Sequence, residues 1–135
     1  MGRVTLVLDT SALVAILADE PEAPSFATAI EEAEAVFISA VTVFELLVVS
    51  MGKRGHAGVT AARSLLATIS PTILPFDTVA MEAATTAYAR YGKGIHPEAR
   101  LNLADCAAYA LARTLNAPLL FKGRYFTHMD VTAAC

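Results

Sequence analysis

Three acidic residues stand where chemistry could be done. Asp9 directly follows the apolar run Val4 to Leu8 (VTLVL). Glu45 interrupts the apolar stretch Ala40 to Met51 (AVTVFELLVVSM), and Asp105 comes three residues after Asn102. Each also has a purely structural use. Asp9 is a good helix N-cap, Asn102 with Asp105 has the spacing of a capping box, and a helical glutamate can join an ion pair one turn away. For Glu45 that last use fails locally. Its neighbours at three- and four-residue spacing are Val41, Thr42, Val48 and Val49, and the stretch reads as a helix apolar on nearly every side, hence buried. A buried carboxylate without a partner is costly, so a metal ion, a distant arginine or a proton must satisfy it. If the three acids converge, their mutual repulsion raises their pKa values unless a cation neutralises them. Oxygen-only ligands select hard ions, Mg2+ or Mn2+.

Other chemistries find less support. His56, His96 and His128 lack ligand spacing with one another or with Cys106 and Cys135, which argues against zinc. Cys106 reads as a core thiol. The sequence contains no nucleophile elbow and no phosphate-binding glycine loop, and Gly92-Lys93-Gly94 is too short to be one. Aspartates and glutamates such as Asp19, Glu20, Glu22, Glu31, Glu32 and Glu34 read as solvated surface charge, and Asp77 as a helix cap. Basic and aromatic residues gather in YARYGKGIHPEAR (Tyr88 to Arg100) and FKGRYFTH (Phe121 to His128). These segments serve either as soluble helix ends and loops or as a phosphate clamp, with Tyr91 or Tyr125 stacking on a base. In the second use Arg90, Lys93, Arg100, Lys122 and Arg124 are the RNA-binding candidates.

The elements that must position these residues follow from composition and pattern. With 135 residues, 56% of them hydrophobic and 17% charged, the chain has the material for a single packed domain over 1–135. The net charge of −3 provides no global attraction for nucleic acid, so any such contact is local. Two cysteines are too few for a disulfide framework and suit a reducing, cytoplasmic setting. Mean hydropathy is +0.53, yet no apolar run reaches the ~20 residues of a membrane span. The N-terminal stretch resembles a signal peptide only until Asp9 interrupts it. The apolar surplus fits a parallel sheet buried on both faces.

The pattern predicts strands at Val4–Leu8, Ala35–Ser39, Pro71–Phe76 and Pro118–Phe121, with a short one near Val131. Predicted helices run over Thr10–Ala18, Pro21–Glu34, Ala40–Met51, Ala57–Ile69, Asp77–Tyr91 and Asn102–Leu115. Gly52-Lys53-Arg54-Gly55 separates the third from the fourth. Strands alternating with helices imply an α/β fold with a mainly parallel sheet and helices on both faces. Sites in such folds lie at the carboxyl ends of the strands, which directs attention to Asp9, Glu45 and the segment after Phe121.

With these features placed, the sequence resembles the VapC-type PIN-domain ribonucleases, toxins of bacterial toxin–antitoxin pairs. The resemblance is carried by LDTSALVAILADEPEA (Leu8 to Ala23), FISAVTVFEL (Phe37 to Leu46), YGKGIHPEARLNLADCAAYALA (Tyr91 to Ala112) and APLLFKG (Ala117 to Gly123). It implies a three-layer α/β/α sandwich and a metal-dependent endoribonuclease. Asp9, Glu45 and Asp105 would be its metal-site acids, and the hydroxyls of Thr10 and Ser11 would lie beside that site. It also implies an RNA substrate, a VapB-like antitoxin partner and a homodimer. One segment departs from the family pattern. Where relatives commonly follow FKG with an acidic residue and Asp-Phe, this chain has Arg124 and Tyr125, leaving Asp130 as the candidate fourth carboxylate. A non-catalytic module that binds RNA or an antitoxin is the competing reading. A phosphate-accepting receiver domain shares the acidic pocket, but Asp9 lacks the acidic neighbour that fold requires.

Overall fold

The structure is a computed structural model describing residues 4–123 and 132–135. Thr5–Leu8 forms strand β1, Thr10–Leu17 helix α1, Ala23–Glu32 α2, Ala35–Ser39 β2 and Ala40–Ile69 α3. Thr72–Leu74 forms β3, followed by α4 (Thr78–Tyr91), α5 (Leu103–Leu115) and β4 (Leu119–Leu120). The four strands make one parallel sheet in the order β3-β2-β1-β4, with Leu6 opposite Val36 and Leu8 opposite Leu120. β1 is central, so its side chains are buried on both faces as a continuous apolar run requires.

Alternation along β1 divides the core in two. Leu6 and Leu8 pack with Leu13, Phe26, Ile38 and Leu46 from the α1, α2 and α3 side. Val7 points the other way, onto Tyr91, Cys106, Ala108 and Tyr109 of α4 and α5. The period-2 geometry of a strand dictates that opposition, and it produces the expected helix–sheet–helix layering.

Several predicted boundaries shift. The second helix begins at Ala23 rather than Pro21 and ends at Glu32. β3 is three residues long and largely exposed at the sheet edge. The segment expected as a strand near Val131 lies outside the described residues, although Ala133 forms a parallel bridge to Leu119. The two helices expected around Gly52 to Gly55 are continuous from Ala40 to Ile69 but bend at Arg54 (φ −140°, ψ 17°) and Gly55 (φ 59°, ψ −143°). Gly55 supplies the left-handed φ that the bend needs.

The expectation that the Ala40–Met51 helix is buried all round is corrected. Phe44, Val48 and Met51, spaced along one face, are 69%, 53% and 54% exposed. No helix among the described residues is long and apolar enough to cross a membrane.

The bend brings the two halves of α3 into close approach. A Cβ added at Gly58 would stand 2.3 Å from the Ser50 carbonyl oxygen and 3.0 Å from the Arg54 Cβ. The obstacle is backbone, which cannot rotate aside. Gly58→Ala is therefore expected to cost about 1–3 kcal/mol, the usual range for forced overpacking. Chemical denaturation checks this, and a midpoint equal to that of the parent would show that the bend yields freely.

Candidate active site

Asp9 leaves the carboxyl end of β1 with its backbone N–H donating to the Leu120 carbonyl at 3.0 Å. It caps α1, as expected of an aspartate in that place. Its Oδ2 accepts from the Ser11 backbone N–H at 3.0 Å and from the Ser11 hydroxyl at 2.6 Å. The residue is 2% exposed. Its other oxygen, Oδ1, is buried without a hydrogen-bond partner among the described residues. Burial pushes the carboxyl pKa up to about 7, against the pull of the Ser11 hydroxyl, and the charges of Asp105 and Glu45 push the same way.

Asp105 also fills its structural place. Asn102 Oδ1 accepts from the Asp105 backbone N–H at 2.8 Å, and Asp105 Oδ2 accepts from the Asn102 N–H at 3.0 Å, completing the capping box. Burial nevertheless raises its pKa to about 6, assisted by Glu45 and opposed by the Asn102 backbone bond. Glu45 is half-buried on the first part of α3, not enclosed as its surroundings in sequence suggest. The three acids thus lie close enough to act on one another's charge, and capping does not compete with that grouping.

A divalent cation is tested by this arrangement. An orphaned buried carboxylate oxygen, two acids held above their ordinary range and an oxygen-only donor set all suit a hard ion. Among the described residues, no three side chains of His, Cys, Asp and Glu close into a complete cage. That is compatible with Mg2+, which commonly uses one or two carboxylates and keeps several waters. The acids fit such an ion in part, with Asp9 supplying a buried oxygen that has no partner among the described residues.

The two hydroxyls differ in use. Thr10 is buried and donates to the Thr42 carbonyl at 3.4 Å, tying α1 to the start of α3. Ser11 Oγ touches Asp9 directly and also accepts from the Lys122 backbone N–H at 2.9 Å.

The basic candidates separate as well. Lys93 and Arg100 are exposed on the segment 92–101, which is closed by a bridge between Gly92 and Leu101 and by His96 Nδ1 accepting from the Glu98 and Ala99 backbones. The Arg90 guanidinium lies 5.0 Å from the centre of the Tyr91 ring. Lys122 stands apart from them, its Nζ 3.0 Å from Glu20 Oε1 and 3.3 Å from Glu22 Oε1. Glu20 and Glu22 are therefore not simply solvated charges. Sequence reading missed this pairing because its members are about a hundred residues apart and share no local spacing. Arg124, Tyr125 and Asp130 lie outside the described residues.

A parallel sheet between helical layers, with acids gathered at its carboxyl edge, defines the class. The PIN domain family matches residues 6–131. The chain is 41% identical over 128 residues to Ribonuclease VapC of Mycolicibacterium smegmatis, covering 95% of this chain and 98% of that protein. It therefore belongs to the PIN-domain family and, within it, to the VapC ribonucleases. Solved structures share the fold at lower identity. VapC20 of Mycobacterium tuberculosis, a toxin that cleaves the sarcin-ricin loop, superposes with a TM-score of 0.73 at 18% identity over 93% of this chain and 96% of its own. A toxin–antitoxin complex from Klebsiella pneumoniae gives 0.70 at 20% identity over 96% and 98%.

Proposed function

We propose that this chain is an endoribonuclease toxin that hydrolyses RNA phosphodiester bonds with Mg2+ or Mn2+ at Asp9, assisted by Glu45 and Asp105. The observation that carries the reading is the buried Oδ1 of Asp9, without a partner among the described residues and beside two further acids whose charge bears on it. When bound, the divalent ion lowers the pKa of a coordinated water and steadies the charge on the phosphate under attack. The chain's own contribution is orientation. Ser11 holds one oxygen of Asp9, the Asn102 cap holds one oxygen of Asp105, and Thr10 anchors the helix that begins between them and the sheet. Lys93 and Arg100, exposed on one short segment with Arg90 beside them, are the basic side chains we assign to phosphate.

Family membership supports RNA as substrate and a VapB-like antitoxin as partner. We place the protein in the cytoplasm and read the exposed stripe Phe44, Val48 and Met51 as surface available for a homodimer. The test is cleavage of RNA by the purified protein with and without Mg2+, Asp9→Asn serving as control. Metal-dependent cutting that persists in the control would mark a contaminant. Binding of RNA or antitoxin without cutting at any ion concentration would return the chain to the non-catalytic reading.

Glu45→Gln keeps size and polarity while removing a charge that acts on both aspartates. Its half-buried position makes a large stability change unnecessary, so the melting temperature should stay within a few degrees. Cleavage should fall about 10- to 100-fold, the range seen when a group tuning a metal site is lost. Unfolding of the variant with unaltered ion affinity would identify Glu45 as structural instead.

A further inference from the structure

We propose that Lys122 is a positioning residue for Asp9 and not a phosphate ligand, acting through the chain Lys122 N–H, Ser11 Oγ, Asp9 Oδ2. The inference rests on the reading that Asp9 holds a divalent ion. A serine hydroxyl has one proton to give and lone pairs that accept. The Lys122 backbone amide can only donate, and at 2.9 Å it occupies a lone pair of Ser11 Oγ. The single Ser11 proton is then directed at Asp9 Oδ2, 2.6 Å away, a length typical of a hydroxyl bonded to a carboxylate. Oδ2 receives two donors while Oδ1 receives none among the described residues. The carboxylate is thereby held with one oxygen engaged and the other left for a cation.

The side chain of Lys122 holds the donor in place. Its ammonium reaches Glu20 and Glu22, in the turn that follows α1. That turn is itself ordered, with the Glu20 N–H on the Ala15 carbonyl and the Ala23 N–H on the Glu20 carbonyl, both at 2.9 Å. One residue therefore joins the first turn of α1, through its backbone, to the segment beyond the last turn, through its side chain. Immediately after it the chain turns at Gly123 (φ 112°). An RNA phosphate would have to displace two carboxylates to claim this lysine. The ion pairs are partly exposed and contribute little to global stability, so variants that remove them are expected to fold.

The test compares Lys122→Met, Lys122→Arg, the double variant Glu20→Gln with Glu22→Gln, and Asp9→Asn in the full chain. Calorimetry measures Mn2+ binding without RNA, and binding of a non-cleavable single-stranded oligoribonucleotide is followed against salt without added metal. Lys122→Met and the double glutamine variant should each weaken Mn2+ binding about 2- to 5-fold, the most that partly exposed ion pairs can transmit. The salt slope of RNA binding should stay unchanged, and Lys122→Arg, which can pair with both glutamates, should restore most of the ion affinity. A shallower salt slope in Lys122→Met, by about one charge, together with tighter RNA binding in the double variant, would overturn the proposal and make Lys122 a phosphate ligand. Parent-like Mn2+ binding in Lys122→Met would also overturn it, leaving the metal reading intact if Asp9→Asn fails to bind. Parent-like binding in Asp9→Asn would overturn both.

Discussion

Asp9→Asn is expected to abolish divalent-ion binding and to lower RNA cleavage by at least about 100-fold, without loss of the fold. Loss of groups that merely orient a metal ligand costs 10- to 100-fold, so loss of the ligand itself should cost no less. The amide is nearly the size of the carboxyl, and its oxygen can still accept from the Ser11 N–H and hydroxyl that cap α1. It carries no charge into a site where burial and two neighbouring acids oppose one. The ion-free variant should therefore match or exceed the parent in stability at pH 8. Calorimetric titration with Mn2+, cleavage assays and thermal melts on the same preparation check the three parts together. Equal ion affinity in the variant would remove Asp9 from the site.

Acidification supplies the second test. Ion-free protein is expected to gain about 2–4 kcal/mol of stability between pH 8 and pH 5, and saturating divalent ion should erase that slope. In the folded chain Asp9 titrates near pH 7 and Asp105 near pH 6, against an ordinary value of 3.8. Between about pH 4 and 7 the folded state consequently holds protons that the unfolded state has released. Stability then falls as pH rises, because the unfolded state binds fewer protons. The contribution is complete below the unfolded value and is lost as pH climbs through 6 and 7. A bound cation replaces the protons, so ion binding should release protons in this window and strengthen with pH. Denaturant unfolding at stepped pH, with Asp9→Asn as comparison, measures the effect. A flat profile in the parent would show that the acids are better solvated than their burial implies.

Much of this site is legible along the chain, because its parts are local. Asp9 after a β-branched run and before a helix reads as a cap, and Asn102 with Asp105 reads as a capping box. Both are formed as hydrogen bonds of two to three residues' span. The interruption at Gly52 to Gly55 also reads correctly as a break, although the chain needs only two non-helical residues to make it. Glu45 shows where such reading fails. A helix apolar on most sides can be enclosed, or it can leave a stripe outward, and periodicity alone does not say which. Phe44, Val48 and Met51 face outward, and Glu45 is consequently only half-buried.

By itself, then, the sequence determined the alternation of strands and helices, the parallel sheet, the three candidate acids and the oxygen-only chemistry they share. These depend on side-chain period, capping and donor type, which act over a few residues. Only the tertiary structure decided that the acids feel one another, that Asp9 keeps one oxygen engaged and one without a partner among the described residues, and that Lys122 turns to Glu20 and Glu22. Desolvation and Coulomb interaction depend on distance through space and on what excludes water, and the β1–β4 pairing brings Ser11 to a residue 111 positions away.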